Sequence, residues 1–173
     1  MTFVFQKAGW DYTIANETGT PIYLFRPFNH LYKAGWILIE GQRQIVIRMV
    51  LNLAKMLYSW HADLEQCTLT IKRKWLFSQT YLITWGSREY TLYQHKGQLS
   101  SIFYDGIQVG YTAVENNTIT FVCNNNEPKE LMLLIAGVTN CYMSSSNDIN
   151  LGRLILKDAI PFNHEWKPKE LFK

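Results

Sequence analysis

Residues 128–142 read PKELMLLIAGVTNCY, and within them Leu131, Met132, Leu133, Leu134, Ile135, Ala136, Gly137 and Val138 follow one another without a polar break. A surface helix keeps one polar face, and this stretch offers none. As a helix at about 1.5 Å per residue it is roughly 22 Å long, short of the ~30 Å hydrocarbon core of a bilayer. It is either the buried centre of a globular fold or a membrane-inserting element. Its flanks favour the first. Asn124, Asn125 and Asn126 offer N-cap oxygens. Pro128 suits a first turn, and Glu127 and Glu130 complement the positive end of the helix dipole. Asn140 and the run Ser144 to Ser146 mark the exit. Gly137 costs a helix interior about 1 kcal/mol, which suits a place where a strand crosses closely.

Everything upstream of this helix reads as hairpins. Trp10 to Ala15 and Thr20 to Arg26 flank the turn Asn16-Glu17-Thr18-Gly19. Ala34 to Glu40 and Arg43 to Met49 flank Gly41-Gln42. From Cys67 onward, Leu69, Ile71, Arg73 and Trp75 share one strand face, and Thr68, Thr70, Lys72 and Lys74 the other. Thr80 to Trp85 and Glu89 to Gln94 surround Gly86-Ser87-Arg88. Gln98 to Tyr104 and Ile107 to Val114 surround Asp105-Gly106, a strong two-residue hairpin signal. Asn116-Asn117 leads into Thr118 to Cys123. Residues 49–60 fit a strand or a helix face equally well, and are read as a strand followed by a passage of helical character. Strands at this spacing predict an antiparallel sandwich or barrel. Leu151 to Ala159 reads as a further strand or short helix, and Pro161 to Lys173 as an extended tail.

The chain has 173 residues, a net charge of +3 and six Trp, ten Tyr and nine Phe. That length suits one domain, and the aromatic content favours strands. The charge balance is only mildly basic, so no nucleic-acid partner is expected. No apolar run reaches 18 residues, so no transmembrane span is expected. The N-terminus lacks the charged and apolar regions of a secretory signal. Cys67, Cys123 and Cys141 are odd in number and have no CxxC spacing, so they read as small buried residues of a reducing compartment. A cytoplasmic location follows as an expectation.

A β-meander followed by one wholly apolar helix resembles the tubby C-terminal-like superfamily, which includes the LURP-one-related proteins and the phospholipid scramblases. Three stretches carry the resemblance: YTIANETGTPIYLF (12–25), the hairpins from Thr68 to Cys123, and NNNEPKELMLLIAGVTNCY (124–142). It implies a mainly β fold: a closed antiparallel barrel of about a dozen strands around a central apolar helix at about 128–142. Residues 1–173 then form a single domain, with 144–173 as an extension. It also implies a non-catalytic intracellular binding or adaptor module that contacts phosphoinositide or a membrane surface. Three features depart from the family: some thirty residues follow the helix, the palmitoylation and Pro-rich regions of scramblases are missing, and no calcium loop of alternating acids is present.

Lys72-Arg73-Lys74 is the one run of three basic residues, and it is the candidate ligand-binding site. Alternation places Lys72 and Lys74 side by side, where two ammonium groups can hold a phosphate. Short charge runs are also commonplace on solvated strand faces. Arg73, in register with Leu69 and Ile71, belongs at a barrel mouth or beside a buried partner. The partner expected is an anionic lipid headgroup or a protein. His30, His61, His95 and His164 are scattered, so no metal or other cofactor is expected. No nucleophile elbow, P-loop or dinucleotide fingerprint is present, so no catalytic residue is assigned and an enzyme is not expected. The alternatives are a barrel carrier of a small hydrophobic ligand with the apolar helix as a lid, and an enzyme with an unrecognised site at the barrel mouth.

Overall fold

The computed structural model of the chain describes residues 1–30, 33–52, 57–74, 80–95, 98–116, 118–145 and 166. Twelve strands are followed by one helix. They are β1 (Thr2–Ala8), β2 (Asp11–Asn16), β3 (Pro21–His30), β4 (Lys33–Glu40), β5 (Arg43–Asn52), β6 (Leu57–Leu64), β7 (Cys67–Arg73), β8 (Thr80–Trp85), β9 (Arg88–His95), β10 (Leu99–Tyr104), β11 (Ile107–Glu115), β12 (Thr118–Cys123) and α1 (Lys129–Ser145). Each strand pairs antiparallel with its sequence neighbours, and β1 pairs with β12 to close the barrel. Closure leaves no sheet edge unpaired.

The wall follows strand alternation. Phe3 and Phe5 on β1, Tyr12 and Ile14 on β2, Tyr23 and Phe25 on β3 and Ile45 and Ile47 on β5 are buried. The intervening positions, such as Gln6, Gln44, Arg48, Lys72 and Glu89, are exposed. Outward positions are mixed: beside these polar residues stand the half-buried Leu24, Ile37, Ile39 and Val46. No described helix is long and apolar enough to cross a membrane.

Two strands differ from the sequence reading. β1 was not anticipated, because Thr-Phe-Val-Phe carries apolar residues on both faces and hides its period. Its Phe3 and Phe5 face Phe121 and Ile119 of β12 in register. The helical character read into residues 49–60 is wrong where the chain is described: Met49 to Asn52 completes β5, and Leu57 to Trp60 opens β6. Cross-strand pairing, Leu51 to Tyr58 and Met49 to Trp60, overrides a local pattern compatible with either state. Residues 53–56 and 151–159, and all of 161–173 except Trp166, lie outside the described residues.

The helix runs three residues beyond its expected end at 142. Asn140 is therefore an interior helical residue rather than an exit signal. Every residue from Leu131 to Cys141 is buried. Contacts reach the helix from separate parts of the wall. A Cβ at Gly137 would stand 2.7 Å from the Phe25 ring of β3, and one at Gly110 of β11 would stand 3.4 Å from the Met132 terminal methyl. Asn140 Oδ1 accepts a bond from Thr112 Oγ1 of β11 at 3.3 Å, and Thr112 in turn meets the hydroxyl of Ser100 on β10. Asn140 Nδ2 donates to the Ala136 carbonyl at 2.8 Å. Buried polar groups need such partners.

Candidate functional site: the basic end of the barrel

The barrel has two distinct ends. The proximal end carries the β2–β3, β4–β5, β6–β7, β8–β9 and β10–β11 turns and the start of α1. The distal end carries the alternate connections. Among the described residues, Glu17, Glu40, Asp63, Glu65, Glu89, Asp105, Glu127 and Glu130 lie at the proximal end, against the cations Arg43, Arg88 and Lys129. Lys7, Lys33, Lys72, Arg73 and Lys74 lie at the distal end, where the described acids are Asp11 and Glu115. Asp11 is bound by Arg26, whose Nη2 lies 2.9 Å from Oδ2.

Proximal charge is spent on the helix start. Arg43 pairs with Glu130 at 3.2 Å, and Lys129 stands 3.9 Å from Glu40 and 4.8 Å from the Tyr23 ring centroid. The Tyr90 hydroxyl donates to Glu127 at 2.8 Å. Burial pushes the Tyr90 phenol up to about 12, Glu127 adding to the rise and the Arg88 hydrogen bond opposing it. Burial, with the carboxylates of Glu40 and Glu130 near, also raises Tyr23.

The predicted triplet sits at the distal end of β7. Lys72 and Lys74 are exposed on the outer side, as alternation required. Arg73 is half-buried and turns inward. Its Nε donates to the Tyr81 hydroxyl at 3.1 Å, and its guanidinium carbon stands 5.5 Å from that ring's centroid. Both expectations for Arg73 are thus met together: it lies at the mouth and has a partner. Tyr81 is directly opposite it in register. Trp75, assigned to the same face, is outside the described residues.

Sequence reasoning missed the neighbours of Lys72. On the outer wall one row runs Val50, Ser59, Lys72, Leu82, and the adjacent row runs Arg48, His61, Thr70, Thr84. His61 ring nitrogens lie 2.9 Å from Ser59 Oγ and 3.3 Å from Thr70 Oγ1. An outer-wall cleft of about 440 Å³ is lined by Gln44, Arg48, Val50, His61 and Asp63. Strand pairing across forty residues created this group, so no local motif announced it. His95 is buried, its Nε2 3.0 Å from Ser101 Oγ. The described residues hold no cluster of three metal-ligating side chains.

Cys123 and Cys141 are buried and Cys67 is half-buried, all three as free thiols. Burial pushes Cys123 up to about 12, the chain's amino group opposing it, and raises Cys141 against the influence of Tyr12 and Lys7. High thiol pKa values mean weak nucleophiles.

No family model, no curated protein and no solved structure matches this chain.

Proposed function

We propose that the protein is a non-catalytic, intracellular binding module of the tubby-like type, a closed barrel wrapped around α1, which docks an anionic headgroup or membrane surface through its distal end. The observation that carries this reading is the segregation of charge: Lys7, Lys33, Lys72, Arg73 and Lys74 at one end against the acids of the other. Such a dipolar distribution steers the molecule onto an anionic surface in one orientation. Each cation near a charged leaflet is worth about 1 kcal/mol.

The burial of Leu131 to Cys141 and the contacts from β3, β9 and β11 support an axial helix. One volume cannot hold both a helix and a ligand, so a carrier is the weaker reading. The resemblance adds phosphoinositide as the headgroup to try first.

Liposome sedimentation tests the reading. Wild type should pellet with phosphoinositide-containing vesicles and not with neutral ones, and less so as salt rises. Lys72→Ala/Lys74→Ala should lower binding about tenfold, roughly 1.4 kcal/mol. Equal binding by wild type and the double variant would sink it.

A further inference from the structure

Among the described residues five large apolar side chains are exposed: Trp10, Val50, Leu51, Tyr58 and Ile107. Four of the five share the distal end. Trp10 sits in the β1–β2 turn and is 84% exposed. Val50, Leu51 and Tyr58 lie where β5 and β6 approach their connection, with Leu51 opposite Tyr58 and Val50 opposite Ser59. Ser59 is in turn opposite Lys72. Apolar tips and ammonium groups therefore alternate around one rim, two strands, β3 and β4, separating the Trp10 turn from the β5–β6 pair.

An exposed Trp on a turn is unusual without a use, since its indole gains most where one end is apolar and the other wet. Cations beside it say what the apolar medium is. A protein groove would have to supply both an apolar surface and many acids, whereas an anionic leaflet supplies both by construction. We propose that the distal rim is a bilayer-insertion surface, in which Trp10 and the Val50–Leu51–Tyr58 tip enter the interfacial region of an anionic membrane while Lys7, Lys33, Lys72 and Lys74 stay at the headgroups. This rests on the electrostatic docking read above, and adds to it penetration and a fixed orientation. The barrel stands end-on, with the start of α1 and the acidic end away from the lipid. Lysine stems are long enough to reach headgroups beside a shallowly inserted tip.

The test uses the full chain with phosphatidylcholine vesicles, with and without phosphatidylserine, some carrying bromine on the acyl chains. Wild type should bind the anionic vesicles, and the acyl bromines should quench part of its tryptophan fluorescence. Trp10→Ala should abolish most of that quenching and lower binding about fivefold, with the salt dependence unchanged. Leu51→Ser/Tyr58→Ser should weaken binding similarly while leaving Trp10 as the reporter. Trp10 is 84% exposed, so the thermal melt of Trp10→Ala should match wild type, while the melt of Leu51→Ser/Tyr58→Ser sets the temperature below which its binding is compared. Wild-type binding without quenching, with unaltered binding by Trp10→Ala, would overturn insertion and leave the electrostatic reading standing. Failure of wild type to bind any anionic vesicle would overturn both. Concentration-dependent self-association that Trp10→Ala abolishes, without vesicle binding, would assign the patch to a second copy of the chain and overturn insertion.

Discussion

Gly137 shows how one residue sets the spacing between helix and wall. The sequence marks it only as a weak point in a helix. The structure gives the reason: its missing side chain admits the Phe25 ring, and an added Cβ would stand 2.7 Å from that ring. Phe25 cannot easily retreat, because it stacks on Trp36 with centroids 4.7 Å apart and meets the Phe5 ring edge-on. Alanine at 137 gains about 1 kcal/mol in helix propensity but meets an overpacking cost of about 1–3 kcal/mol. Gly137→Ala should therefore lower stability by about 1 kcal/mol, read as a lower urea midpoint. Adding Phe25→Leu should cost less in that background than alone, because the two positions share one space. A Gly137→Ala midpoint above wild type contradicts this packing. Gly35 is stricter still: a Cβ there would collide with the Ile47 carbonyl oxygen of the adjacent strand.

The helix was the most legible element, since an unbroken apolar run allows only a buried or lipid environment. Its buried polar seam was less so. Ser100, Gly110 and Thr112 are small or hydroxylic at positions where other strands present Phe, Trp or Tyr inward. That contrast was visible in the sequence; Ser100 and Thr112 mark where Asn140 comes close, and Gly110 leaves room for the Met132 methyl. β1 was not legible, because Val4 puts an apolar residue between Phe3 and Phe5; β6 was missed although Ser59 to Leu64 alternates polar and apolar, because its start also fits a helix face and it ends in a turn without glycine. The Glu65-Gln66 turn hid for a related reason: both residues take positive φ, 50° and 64°, without a glycine. The clamp at the start of α1 carries a pH dependence. Tyr90 titrates near 12 in the fold against 10.0 for an ordinary phenol, and Cys123 near 12 against 9.0. In both, the raised value stabilises the fold fully below the unfolded pKa and is lost as pH rises through the folded one. The urea midpoint should be flat from pH 7 to 8 and fall between about 9 and 12. Tyr90→Phe, which removes the phenol, should reduce the part of the fall above pH 10. A midpoint constant to pH 11 contradicts the assignment of these groups as buried and neutral.

At the scale of the whole molecule, the barrel and the helix divide the labour. The interior makes a core and the outer surface carries the charge. The sequence revealed the Lys72-Arg73-Lys74 run, but not that Lys7 and Lys33 join it, or that Trp10 and the Val50–Leu51–Tyr58 tip share its rim. Those residues are up to about seventy positions apart in the chain, and only the antiparallel winding brings them to one end. Placing function on that end depends on α1 occupying the barrel axis rather than closing a ligand cavity as a lid. Hydrogen exchange tests this most directly. If the helix is the core, the amides of Leu131 to Val138 exchange among the slowest in the protein, through global unfolding alone. Exchange of those amides well ahead of the β5 and β9 ladders would contradict an axial helix, and with it the placement of function on the outer end of the barrel.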